Sequence, residues 1–108
     1  MSEKTPLQLD KVLEDTGADA ALLLDLEGNV ISASHVDYEQ NIAAMVQMIY
    51  AMGSDLSQDL KNGELEQLLV KASAGFFVVN KHGEDAIIVI FSKEVSKIGR
   101  CLKMINTL

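Results

Sequence analysis

From Gln40 to Ser54 the chain carries neither a charged residue nor a proline, inside a longer stretch, Asp37 to Lys61, that no proline interrupts. The pattern predicts one long helix, and it restricts the architecture more than any other part of the sequence. A helix this poor in charge must be covered on more than one side. Asp37 can accept the first free N–H groups of that helix, and Asn62-Gly63 supplies a left-handed stop. At about 100° per residue, Ile42, Met45, Val46, Ile49, Met52, Gly53, Leu56 and Leu60 fall on one side, a complete core-facing surface. Ala43, Ala44, Met48, Tyr50 and Ala51 lie mostly elsewhere on the circumference. Alanine is a strong helix former, so Ala44 and Ala51 could stand on a wet surface. Met48 has no such reason to be there. The reading is therefore that another layer or another chain covers the back of this helix.

The remaining elements follow from shorter signals. Thr5 as N-cap, Pro6 at the first helical position and Gln8 three residues on predict an opening helix over 5–16, ended by Gly17. Leu9, Val12 and Leu13 give it one apolar stripe. Two runs, 20–24 and 30–34, flank Asp25-Leu26-Glu27-Gly28-Asn29, where Gly and Asn suit a tight reversal, so they form a hairpin. Beyond Gly63, three further strands are expected over 64–71, 75–81 and 86–92, with His82-Gly83-Glu84-Asp85 as the turn between the last two. Phe76 to Val79 and Ile87 to Phe91 are continuously apolar, as central strands covered on both faces are, whereas 64–71 is mixed, as an edge would be. Helices must then lie on both sheet faces. Val95, Ile98, Leu102 and Ile105 give a closing amphipathic helix that contains Gly99.

The 108 residues, 48% of them hydrophobic, with no linker or low-complexity tract, predict a single domain over 1–108. A net charge of -7 opposes nucleic-acid binding that depends on neutralising phosphates. Local basicity is confined to the last helix, where Lys93, Lys97, Arg100 and Lys103 face only Glu94; a solvated helix end is the simpler account than a patch for an acidic partner. One cysteine, Cys101, excludes an internal disulfide and a zinc-finger ligand set, and a reducing, cytoplasmic location is expected. No run is long and apolar enough for membrane insertion. His35 and His82 are too far apart in sequence to make a metal site by spacing, Cys101 has no adjacent base, and no phosphate-cradling or nucleophile-elbow motif occurs. The expectation is a protein with no catalytic residue, metal or cofactor of its own.

The element order α-β-β-α-β-β-β-α resembles the roadblock and dynein light-chain family across essentially the whole chain. Three segments carry the likeness: Gly17 to Ala33, Gly63 to Val70, and Gly75 to Val79, which resemble the family's first hairpin and its third and fourth strands. The resemblance implies an α/β sandwich with a five-stranded antiparallel sheet, the long helix on one face and the terminal helices on the other. It also implies a homodimer joined through long helices and third strands that serves as a platform for a Ras-like small GTPase, whose hydrolysis some members stimulate. On this reading Ala44, Gln47, Met48 and Ala51 are interface residues for the second copy or the GTPase, and Leu68 and Val70 assist strand pairing. Arg100, on the closing helix, is badly placed to act as an arginine finger. The rival reading, from another class, is a small-molecule sensory domain of the PAS or profilin-like kind, with a ligand held between sheet and long helix.

Overall fold

The computed structural model describes residues 7–108. Along the chain run α1 (Leu9–Thr16), β1 (Ala20–Asp25), β2 (Val30–Ser34), α2 (Glu39–Asp59), β3 (Gln67–Ala72), β4 (Gly75–His82) and β5 (Ala86–Ser92). A short 3-10 turn (Val95–Lys97) then leads into α3 (Ile98–Ile105). The strands form one five-stranded sheet in the order β2-β1-β5-β4-β3, with every neighbouring pair antiparallel. This is the expected α/β sandwich: α2 lies on one face of the sheet, and α1 and α3 lie on the other.

Side-chain alternation along the three inner strands builds two cores at once. Ala21 and Leu23 of β1, Phe76 and Val78 of β4, and Ile88 and Ile90 of β5 face α1 and α3, where Leu9, Val12, Cys101 and Ile105 meet them. Leu22, Leu24, Val79, Ile87 and Val89 face the other way, against Ala43 and Val46 of α2. Central strand β5 is buried from Ala86 to Ile90, which explains its continuous apolar sequence. Each fully buried Leu, Ile or Val contributes on the order of 1.5–3 kcal/mol relative to leaving it in water.

The hairpin between β1 and β2 turns where the sequence predicted. The Asp25 carboxylate accepts the backbone N–H groups of Glu27 and Asn29 and the Asn29 side-chain amide, and Gly28 takes φ 90°. These bonds to the ionised form, chiefly those from Asn29, hold the Asp25 carboxyl below its ordinary value. Gly17 closes α1 in the left-handed conformation, and its N–H bonds to the Leu13 carbonyl, as a C-cap glycine does. Below it the buried Thr16 hydroxyl donates to the Val12 carbonyl at 2.7 Å and accepts the Ala18 N–H at 3.2 Å.

Several expectations need correction. Thr5 and Pro6 lie outside the described residues, and within them α1 begins at Leu9 after an extended Gln8. Asp37 does not cap α2. That position belongs to Tyr38, whose φ of 54° swings the chain into the helix without any side-chain cap bond. The largest correction concerns which side of α2 meets the sheet. Met45, Met52, Leu56 and Leu60, read as core, are exposed, as in part is Ile49, while Ala43, read as lying elsewhere, is completely buried. A small residue wins because it allows the helix backbone to approach the sheet closely.

Candidate interaction surface

Helix α2 is held to the sheet by two kinds of contact. Along its inner face Ala43 and Val46 are buried, Ile42 and Tyr50 pack beside them, and the Tyr50 hydroxyl donates to the Leu65 carbonyl at 3.1 Å. Burial pushes the Tyr50 hydroxyl pKa up, so it stays a neutral donor. Gly53 sits so close to the next segment that a Cβ there would stand 3.1 Å from Leu65 Cδ2 and 3.5 Å from Leu68 Cδ2. On the hairpin side, Gln47 Nε2 reaches the Leu26 carbonyl at 3.4 Å, and its stem fills the space beside Gly28.

Fixing that inner face turns a long apolar strip outward. Met45, Ile49, Met52 and Leu56 follow one another at intervals of four, three and four residues, the spacing of a seam between helices. Met45 is 50% exposed, Met52 72% and Leu56 59%. Beside the strip, where α2 leaves the sheet uncovered, Ile42, Met45, Val46 and Ile49 face Phe77 and Phe91 across a groove of about 250 Å³. The two phenyl rings lie 6.4 Å apart, tilted by 45°. Every residue lining the groove is apolar, so it offers no hydrogen bond to water or ligand.

Phe77 of the groove pairs with Val70 of β3. That strand pairs with β4 in unbroken register from Gln67↔Asn80 to Ala72↔Gly75 and, among the described residues, has no neighbour on its outer side. Leu68 and Val70 are half-buried on the α2 side of this edge, with Leu68 packed near Gly53. The opposite edge, β2, is different. Its pairing jumps from Ser32↔Leu23 to Val30↔Leu24, which leaves Ile31 as a bulge, and a bulge twists an edge away from further pairing. One edge of the sheet is therefore regular and the other is blunted.

The six residues expected at an interface separate into three places. Ala44 and Met48 are exposed and Ala51 half-buried; at about 100° per residue they share the back of α2, pointing away from the sheet. Gln47 turns to the flank that meets the hairpin, half-buried. Leu68 and Val70 lie on β3, Leu68 beside Gly53 and Val70 paired with Phe77 of the groove. The surface formed by Met45, Ile49, Met52, Leu56, Phe77 and Phe91 was missed as a surface. The four-three-four spacing was visible in the sequence, but the same spacing also describes a core face.

The opposite face of the sheet binds its own basic residues. Arg100 donates to the Asp15 and Glu14 carbonyls, and Lys97 to the Gly17 carbonyl, so α3 caps the negative end of α1. Lys97 also pairs with Glu94 at 3.3 Å. Cys101 is buried there, its thiol 3.4 Å from the Thr16 carbonyl and pushed up in pKa by burial. A second, more open cleft of about 520 Å³ lies at the end of the sheet, with Asp19, His35, Ser73 and Lys93 at its rim. The Asp19 carboxylate there is bound to the Lys93 N–H at 2.8 Å. His82 terminates β4 at the other end of the sheet, beside the Ala86 end of β5, so the two histidines are not brought together. Among the described residues no group of three or more His, Cys, Asp or Glu side chains is placed to hold a metal ion, and no helix is long and apolar enough to cross a membrane.

A sequence profile of the Roadblock/LC7 domain matches residues 4–92. No curated protein sequence matches the chain. Among solved structures it is similar to one described as MglB with tetrameric arrangement, at 22% identity, covering 92% of this chain and 77% of that one, with a TM-score of 0.84. It is equally similar to the gliding protein MglB of Thermus thermophilus, at 22% identity, 92% and 78% coverage and a TM-score of 0.84. Myxococcus xanthus MglB follows at 15% identity, 90% and 81% coverage and a TM-score of 0.83. At such identities the likeness is one of fold.

Proposed function

The chain belongs to the Roadblock/LC7 domain family, and on that premise we propose that it is a homodimeric regulator or scaffold for a Ras-like small GTPase. The observation that carries this reading is the exposed apolar flank of α2 lying directly beside the free, regular edge of β3. A second copy related by two-fold symmetry covers both at once. Its own β3 extends the sheet, and its α2 runs antiparallel, so that the protruding Met52 and Leu56 of one copy enter the groove at Ile42, Met45 and Ile49 of the other. A standard interface of about 800 Å² per protomer persists at micromolar concentration. The solved MglB with a tetrameric arrangement supports self-association within this fold.

Pairing the flanks leaves the backs of both helices, with Ala44, Met48 and Ala51, side by side on one surface, and this is the platform assigned to the GTPase in the cytoplasm. Gln47 borders it. Arg100 is engaged with α1 carbonyls on the other face of the sheet, so any effect on hydrolysis works by positioning the GTPase's own groups and not by an inserted guanidinium. The test is titration calorimetry of the purified chain against the Ras-like GTPases of the same cell, each loaded with a GTP analogue or with GDP. Binding of one nucleotide state to the dimer, lost in Met48→Lys while the dimer persists, is the expected result. A dimer that binds no such GTPase in either state overturns the reading.

A further inference from the structure

The outward side of α2 is also where the accessible sulfur of the described chain is concentrated. Met45 and Met52 stand in the apolar strip at 50% and 72% exposure, and Met48 stands on its shoulder at 57%. Met104, on α3, is half-buried, and Cys101 is fully buried with its thiol held protonated by its surroundings. Among the described residues a peroxide meeting the folded protomer therefore finds three thioethers within two turns of one helix and no comparably exposed sulfur on the other face of the sheet.

We propose that Met45, Met48 and Met52 form an oxidative modification site, with hydrogen peroxide as the co-substrate, and that sulfoxide formation at the two seam positions, Met45 and Met52, closes α2 to a second copy. This rests on the reading above that α2 is the seam of a dimer. In each event a sulfur lone pair attacks one peroxide oxygen, an S–O bond forms and the O–O bond breaks. The proton on the new S–OH group passes to the departing hydroxide, giving one sulfoxide and one water; sulfur loses two electrons and peroxide gains them.

The chemistry matters because of where the sulfurs lie. Met45 lines the groove with Ile42, Val46, Ile49, Phe77 and Phe91, none of which has a side-chain donor for a sulfoxide oxygen. Met52 is a projecting side chain in the proposed packing and carries its new oxygen into the same kind of surroundings. A polar oxygen buried without a partner opposes association, on the order of a tenfold or greater loss of affinity for each seam position. Met45 and Met52 react in the free protomer, where they are exposed, and the dimer protects them, whereas Met48 on the back of the helix stays open in both forms. Oxidation thus captures the dissociated form.

The experiment compares the wild-type chain with the triple variant Met45→Leu, Met48→Leu, Met52→Leu, each before and after hydrogen peroxide. Peptide mass mapping locates the added oxygens, and sedimentation over a concentration series gives the dimer constant. The expected result is that oxygens accumulate on the α2 methionines and the wild-type constant weakens at least about tenfold, while the leucine variant, which retains Cys101, dimerises equally before and after treatment. Wild-type protein that dimerises unchanged with its α2 methionines oxidised overturns this inference and leaves the dimer reading intact. A leucine variant that loses its dimer on treatment overturns it as well, by placing the effect elsewhere. Untreated wild type that is monomeric across the series overturns both.

Discussion

Met52→Glu separates the seam from the core more cleanly than any other change. The side chain is 72% exposed in the protomer, so its loss removes little that holds one chain together. In the proposed dimer the same side chain is covered. Burying a whole methionine stabilises by about 1.5–3 kcal/mol, and the part still open in the protomer accounts for about 2 kcal/mol. Two-fold symmetry counts it twice, giving about 4 kcal/mol, and each carboxylate adds the cost of entering an apolar groove near Asp55 of its own helix. At 1.4 kcal/mol per tenfold, the dimer constant should weaken by about three orders of magnitude or more. Folding stability should change by no more than about 0.5 kcal/mol, as surface substitutions do. Sedimentation velocity from nanomolar to high micromolar concentration reads the first quantity, and urea unfolding under monomeric conditions reads the second. Met52→Leu, close in volume, should leave both unchanged. A Met52→Glu chain that dimerises like wild type refutes the seam, and one that loses most of its folding stability refutes the placement of Met52 outside the core.

Other perturbations address the scaffold beneath that surface. Thr16→Val keeps the shape of a buried side chain but deprives the Ala18 N–H of its acceptor, and should lower stability by about 1–3 kcal/mol in urea unfolding. Asp25 has a depressed carboxyl pKa, so its stabilising effect is present above the ordinary value of 3.8 and is lost as pH falls through the lower folded value. The stability difference between wild type and Asp25→Asn should accordingly be constant near neutral pH and narrow below about pH 4. Cys101 should resist a thiol-reactive disulfide reagent in the native protein and react at once in denaturant, because burial both shields the thiol and keeps it protonated. Rapid labelling under native conditions would contradict the described packing of α3.

What could be read from the sequence depended on whether a pattern had one physical solution or two. The run Ile87 to Ile90 has one: a short, β-branched, wholly apolar segment between turn residues is a central strand, and β5 is that strand. Asp25 to Asn29 likewise defines a hairpin turn through the demands of Gly28 and the carboxylate. The fold, the Gly17 stop and the edge position of β3 were legible for the same reason. Helix α2 has two solutions. Its apolar residues cover more of the circumference than one sheet face can bury, and counting hydrophobic residues centres the core on the arc with Met45, Met52 and Leu56. Packing on the sheet instead centres the buried face on Ala43 and Val46, with Gly53 against the Leu65 and Leu68 side chains, and sequence alone does not reveal how the helix is rotated on the sheet. The spare apolar circumference was recognised, but on the back of the helix at Ala44, Met48 and Ala51 and not on the flank that carries most of it. The entry to α2 was not legible at all, because nothing in the residue type of Tyr38 signals a left-handed backbone.

The extra residue at Ile31 sets an upper limit on size. A sheet with two straight margins could add copies end to end without stopping, as fibrils do. Here only the β3 margin is straight, and the β2 margin is bent out of register. In the proposed dimer, growth by strand addition therefore ends once two β3 strands have met, and raising the protein concentration does not extend the sheet beyond ten strands.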